Sequence, residues 1–102
     1  MLERLTANSF APAVGDTFVV DAGEAGRLEL ELLESRLHDP DAPAEDASGT
    51  RPPFTLEFRG PPDPILPQHI YRLEHPSLGP LEIFIVPVGR DETGTTYEAV
   101  FA

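Results

Sequence analysis

From Gly15 onward, apolar and polar residues tend to alternate along the chain, the period-two pattern of strands lying over a core. Thr17–Ala22 (TFVVDA) predicts a first strand, closed by a turn at Gly23-Glu24-Ala25-Gly26. Arg27–Leu37 predicts a long second strand, in which Leu28, Leu30 and Leu32 point one way while Glu29 and Glu31 point the other. The doublet Leu32-Leu33 breaks the alternation, and Leu33, Ser35 and Leu37 then share a face; a bulge near Leu32 restores the core-facing set. Leu and Glu favour helices, but strict alternation would scatter these leucines around a helix, so a strand is the better reading. Phe54–Arg59 (FTLEFR) alternates most cleanly, with Phe54, Leu56 and Phe58 facing the core. Gly60-Pro61-Pro62-Asp63-Pro64 is a rigid turn, Ile70–His75 a fourth strand, and Pro76-Ser77-Leu78-Gly79 a tight hairpin. Leu81–Val88 (LEIFIVPV) is apolar on both faces after Glu82, which predicts a strand covered on two sides. Pro87 has no N–H to give a ladder, so pairing should end or bulge there. Gly89–Gly94 forms a second hairpin loop, and Thr95–Phe101 (TTYEAVF) closes the chain with Tyr97, Ala99 and Phe101 on one side.

Two segments depart from this pattern. In residues 1–14, Thr6 can cap a short helical turn through Ala7, Asn8 and Ser9 that Pro12 stops, with Leu2, Leu5 and Phe10 as apolar handles. This arm can lie across an open end of the fold as a lid or dock on another subunit. His38–Pro53 carries four acids, four prolines and one glycine with almost nothing apolar, the composition of a mobile loop. Six strands, short connections and a meander of the last three predict an all-β fold: a small six-stranded antiparallel barrel or sandwich with a short N-terminal helical arm. A partly open barrel capped by the arm fits best. Residues 15–102 then form a single β domain with the acidic, Pro-rich loop at 38–53 inserted in it.

The 102 residues suffice for one domain and one modest core. With 12 prolines and 8 glycines, the composition suits strands joined by many turns. No cysteine is present to build a disulfide framework or a thiolate metal site. Eighteen acidic residues against seven arginines leave a net charge of −11, a surface that repels phosphate backbones and argues against nucleic-acid binding. No apolar run approaches the ~20 residues needed to cross a membrane as a helix, so no membrane insertion is expected. The opening residues do not read as a signal segment, which leaves the cytoplasm or an exported assembly as compartments.

The groups able to carry chemistry are sparse. His38 stands beside Asp39 and Asp41, but without the central glycine and terminal glutamate of a calcium loop. His69 and His75 fall on one face of the fourth strand with Tyr71 and Leu73, about 20 Å apart at ~3.3 Å per residue. That is too far for joint ligation, and a structural role is expected. Ser9, Ser35, Ser48 and Ser77 lie outside any Gly-x-Ser-x-Gly elbow. No catalytic residue, metal site or cofactor is expected, and no enzyme activity.

Two surface patterns are more informative. Glu57 and Arg59 on one strand and Arg72 and Glu74 on another could meet as cross-strand ion pairs if those strands are neighbours. On the fifth strand, Leu81, Ile83 and Ile85 take the core side, which sends Phe84, Val86 and Val88 outward; Val100 and Ile70 can join them from adjacent strands. This apolar strip on an acidic protein is covered either by the N-terminal arm, through Leu2, Leu5 and Phe10, or by a partner. The expected role is a structural or protein-interaction module working through that strip or an exposed strand edge, with a protein partner or self-association. The alternative is a small-ligand or carbohydrate-binding β domain using Tyr71, His75 and Tyr97 near a barrel mouth.

The run FRGPPDPILPQHIYRLEHPSLGPLEIFIVPVG, Phe58–Gly89, resembles an uncharacterised family of bacterial proteins of about this length, with the signature FRGPxDPxLPQxxYRLEHPxLGxLxxFxVPVG. The opening LTANSFAPAVGDTFVV (Leu5–Val20) and the closing YEAVF (Tyr97–Phe101) are similar as well, and the loop from His38 to Pro53 matches least. Members of that family are often encoded near tail-collar-like or tail-fibre-like proteins. The resemblance thus implies a protein partner of that kind and a place in a phage-tail-related or extracellular assembly; it brings no catalytic residues with it.

Overall fold

The computed structural model describes residues 5–23, 26–38 and 53–101. Six strands lie among them: β1 (Thr17–Asp21), β2 (Arg27–Leu37), β3 (Phe54–Gly60), β4 (His69–His75), β5 (Gly79–Asp91) and β6 (Gly94–Phe101), all paired antiparallel. They close in the order β1-β2-β3-β6-β5-β4. The barrel is therefore closed, where the sequence pattern suggested a partly open one. The closing seam is a three-residue ladder of β1 on β4, Val19–Glu74, Val20–Leu73 and Asp21–Arg72. Glu24, Ala25 and residues 39–52 of the acidic loop, with Asp39 and Asp41, lie outside the described residues, as do Leu2 and residue 102.

Alternation turns every second side chain inward. Phe18, Val20, Leu30, Leu32, Phe54, Leu56, Phe58, Leu73, Ile83, Ile85 and Tyr97 make one core. Two irregularities keep it continuous. In β2 the register on β3 slips between Leu32 and Glu34, so Leu33 is the extra residue and points to solvent, while Ser35 and Leu37 return opposite Leu56 and Phe54. In β5 the register on β6 slips between Pro87 and Gly89, beside the proline that cannot donate. β5 is long because it serves two neighbours in turn. Gly79–Ile85 pairs with β4 and Val86–Asp91 with β6, which draws the predicted Gly89–Gly94 loop into the strands.

Both ends of the barrel are covered. At one end, helix α1 (Ala7–Phe10) runs into a 3₁₀ turn, Ala11–Ala13. Pro12 was expected to stop the coil, but at the start of a new turn its missing N–H is not needed, so the chain winds on. Ser9 Oγ accepts the Thr6 N–H at 3.0 Å, and Ser35 Oγ on β2 donates to the Ala7 carbonyl at 2.9 Å. Phe10 is fully buried, its ring 5.9 Å from Phe54 and 5.8 Å from Phe101, which themselves stack at 4.6 Å. At the other end the segment after β3 folds across the barrel. The Leu66 N–H donates to Tyr97 Oη at 2.9 Å, Tyr71 Oη donates to the Pro67 carbonyl at 2.7 Å, and Arg90 Nε donates to the Pro62 carbonyl at 2.7 Å.

The expected ion pairs between Glu57 or Arg59 and Arg72 or Glu74 do not form, because β3 lies between β2 and β6 while β4 lies between β1 and β5. Glu74 instead meets Arg27 at 2.8 Å and Arg72 at 3.8 Å. Arg59 reaches across β6 to the Thr96 hydroxyl (2.9 Å), Thr93 Oγ1 (2.7 Å) and Asp91. The Asp91 carboxylate also accepts the N–H and hydroxyl of Thr93 and the N–H of Gly94, which organises the β5–β6 turn. The Thr93 hydroxyl and N–H, then Arg59, lower the Asp91 pKa from 3.8 to about 2. A carboxylate depressed on folding adds stability that is whole above its unfolded value and lost as pH falls through its folded one. Asp91→Asn should therefore lose less stability than the parent between pH 4 and 2, measured as urea midpoints across that range. Equal acid slopes for the two proteins would remove this carboxylate from the account.

Candidate interaction surface

The outward face of β5 is not covered on its second side, contrary to the doubly covered strand that its composition suggested. Phe84 is 48% exposed and Val88 51%, while Val86 is half-buried. Ile70 of β4 stands directly opposite Phe84 and is 57% exposed. Val100 of β6, on the same outward face, is 60% exposed and pairs with Thr55 of β3. The β5–β6 ladder stops at Val86–Glu98, two residues short of Phe84 and Val100. Ile70 and Phe84 thus make an exposed apolar cross-strand pair, and Val100 stands on β6 beyond the last β5–β6 pair. Val86 lies one outward step along β5, and Val88 sits in the bulge.

The described part of the arm, residues 5–14, does not close over this face. Phe10, one of the three handles proposed for that role, is spent inside the barrel between Phe54 and Phe101, and Leu5 packs against the core. The chemistry of the end explains this: the stacked Phe54–Phe101 pair offers an enclosed apolar floor, whereas the β5 face offers a convex, half-wet one. Leu2 lies outside the described residues.

A charged row that sequence reading missed leaves β6 in the other direction round the barrel, across β3 and β2. Val86 pairs with Glu98, Glu98 with Glu57, and Glu57 with Glu34. Three carboxylates therefore stand on adjacent strands in one row, an arrangement that repels across the ladder. Arg36 alone among the described residues answers them, bonded to Glu34 at 2.9 Å and reaching Glu98 at 3.9 Å. Each glutamate was visible in its own strand; only the pairing of β2, β3 and β6 aligns them.

The residues considered for a ligand site do not converge. Tyr97 is fully buried with its hydroxyl on Leu66, and the Tyr71 hydroxyl is held on Pro67. Burial, and after it the proximity of Tyr97, raises the Tyr71 pKa above 10.0, so this phenol remains a protonated donor. His75 is buried near the opposite end of β4. Its Nδ1 accepts the N–H groups of Ser77 and Leu78, both at 3.1 Å, which leaves the proton on Nε2 to be donated to the Asp16 carboxylate at 2.9 Å. This ring, packed 4.7 Å from Phe18, braces the β4–β5 hairpin against the chain entering β1. His69 was placed with His75 on the inner face but is exposed at the strand start, edge-on to Tyr71 at 5.5 Å. The His38 ring, through Nε2, bonds the Thr55 hydroxyl at 2.7 Å, and its backbone N–H donates to the Pro53 carbonyl at 3.1 Å, so it ties the ends of the acidic loop together. A shallow hollow lined by Arg72, Pro80, Leu81 and Glu82 lies apart from all three tyrosine and histidine candidates.

Compared with known proteins, residues 5–101 match the family model described as a domain of unknown function (DUF6916). The match spans nearly the whole chain, which belongs to that family. Neither a search of curated proteins nor one of solved structures gave a match.

Proposed function

We propose that this domain is a structural or protein-interaction module of a larger assembly, and that it works through the outward face of β4, β5 and β6. The phage-tail-related or extracellular assembly implied by the sequence resemblance is the setting we assign to it. One observation supports the reading above others: Ile70 and Phe84 stay about half exposed directly opposite one another, with Val100 exposed on the outward face of β6, on a protein that carries a net charge of −11. Each of these residues could be polar at no cost to the core, since the inward set of the same strands already fills the barrel. Exposed apolar side chains kept on the outward faces of β4, β5 and β6 of an acidic protein are the signature of a contact patch.

The reading is tested by co-purification from the cells that carry the gene, with Phe84→Ser/Val100→Ser beside the parent. A phenyl ring buries roughly 200 Å². With half of Phe84 already covered by its own fold, docking can remove about 100 Å² more from water, or about 2.5 kcal/mol at ~25 cal/mol per Å². Retention of the partner should fall about tenfold or more, while thermal unfolding of the variant stays within a few degrees of the parent. A variant that retains its partner undiminished would remove this face from the function.

A further inference from the structure

Resting on the interaction reading above, we infer that the partner docks by adding an extended segment, as one more strand, to the edge of β5 between Gly79 and Ile85. β5 meets its neighbours in succession: Gly79–Ile85 has β4 on one side and no strand of the described residues on the other, and the ladder to β6 begins only at Val86. Alternate residues of an antiparallel strand turn their N–H and C=O to opposite sides. Pro80 fixes which residues turn away from β4. It stands opposite Glu74 with no N–H to give, and proline is tolerated in a strand where its nitrogen faces away from the ladder. Glu82 and Phe84, at the alternate positions that follow, share that orientation. Their N–H groups, and the carbonyls of Pro80, Glu82 and Phe84, therefore point to the side that no described strand occupies.

Donors and acceptors repeating at strand spacing are complementary to an extended chain. Pro80 removes one donor, which discourages indiscriminate pairing and leaves Glu82 and Phe84 to provide the outward N–H groups. The side chains point the same way. Pro80, Glu82 and Phe84 are exposed, and the shallow hollow lined by Arg72, Pro80, Leu81 and Glu82 lies against this run. Phe84, with Ile70 directly opposite, offers an apolar neighbour to an outward side chain of the added strand. The segment belongs to a different protein. Pairing β5 with the β5 of a second copy sets −11 against −11, and it must seat a whole barrel beside a run where β6 takes over at Val86. A single extended chain needs no such room.

Glu82→Pro beside Glu82→Ala, each in the full chain co-purified from the cells that carry the gene, separates a backbone contact from a side-chain one. Both variants lose the carboxylate; only the proline loses the N–H, and like Pro80 it leaves the β4 ladder its bonds. Partner retention should fall about tenfold for Glu82→Pro and change by less than about twofold for Glu82→Ala. A photo-crosslinking amino acid in place of Glu82 identifies the segment, and the expected adduct joins this chain to a different polypeptide. A synthetic peptide of the cross-linked sequence should then slow amide exchange at Glu82 and Phe84 of the parent by about tenfold or more, with Ile83, already in the β4 ladder, unchanged. That measurement decides the question if Glu82→Pro folds poorly. Equal retention by two folded variants overturns the strand addition, and so does peptide binding that leaves those two amides unprotected. If Phe84→Ser/Val100→Ser still releases the partner in either case, the interaction module stands without the added strand. An adduct of two copies, or a cross-link from position 82 to residues 1–4 or 39–52 of the same chain, overturns it by giving the edge another occupant. Absence of any adduct overturns it too, and combined with undiminished retention by Phe84→Ser/Val100→Ser it removes the face itself.

Discussion

Phe10→Ala is expected to destabilise the isolated protein by about 3–5 kcal/mol, the usual cost of emptying a buried phenylalanine site. The side chain is fully buried, tilted against both Phe54 and Phe101 at just under 6 Å, so its loss leaves a void over a stacked pair that cannot fold up to meet it. A domain of this size has roughly 5–15 kcal/mol in total, and the urea midpoint should shift accordingly. The result separates two uses of the arm. Were residues 5–14 an element for docking on another subunit, truncating Phe10 would leave the monomer's midpoint almost unmoved and act on association alone. Ser35→Ala, which removes the hydroxyl donated to Ala7 from a partly exposed site, is the mild comparison, at about 0.5–1.5 kcal/mol. A Phe10→Ala protein as stable as its parent would return the arm to the role of a detachable strap.

Much of this architecture is legible wherever one strand suffices to decide it. Phe54, Leu56 and Phe58 alternate with Thr55, Glu57 and Arg59, and all three apolar residues are in the core. The doublet Leu32-Leu33 and the proline at 87 mark the two places where the ladders slip. Phe84, Val88, Val100 and Ile70 could be sent outward because the inward parity of β4, β5 and β6 was already taken by Tyr71, Leu73, Ile83, Ile85, Tyr97 and Ala99. What alternation does not carry is which strands are neighbours. A period of two says nothing about whether β3 lies beside β4 or beside β6, and the Glu57–Arg72 pairing failed on that point alone. The glutamate row is the same lesson with the opposite sign: three unremarkable outward residues become a charged line only after β2, β3 and β6 are set in register. Between the two places offered to the arm, the barrel end and the β5 face, alternation could not choose. Leu5 and Phe10 are apolar enough for either, and enclosure by the stacked phenylalanines, a property of tertiary structure, decides for the end.

Gly94→Ala is expected to cost up to about 3 kcal/mol, the upper part of the range for overfilling a packed site. At the corner where β3 ends and β6 begins, Gly60 pairs with Thr95 and Gly94 closes the turn from Asp91. A Cβ on Gly94 would come within 2.7 Å of the Gly60 carbonyl oxygen and 2.8 Å of Arg59 Nε. The first contact is with backbone paired to Thr95 in the β3–β6 ladder, so the strands must part or the turn must move. The second pushes on the guanidinium that reaches Asp91 and Thr93. Gly60→Ala, whose Cβ would meet Leu30 Cδ2 at 2.5 Å, presses on a side-chain end instead and should cost less, provided Leu30 can turn within the core. Combining Gly94→Ala with Arg59→Ala relieves the contact with Nε but not the one with the carbonyl. The double variant should therefore be less stable than Arg59→Ala alone, with the glycine substitution costing less in that background than in the parent. Because the same turn depresses the Asp91 pKa, Gly94→Ala should also flatten the loss of stability between pH 4 and 2. Urea midpoints for the four proteins at neutral pH, and for parent and Gly94→Ala through that acid range, measure both effects. A Gly94→Ala protein within ~0.5 kcal/mol of the parent would show that the corner yields without strain and that its glycine reflects only local chain preference.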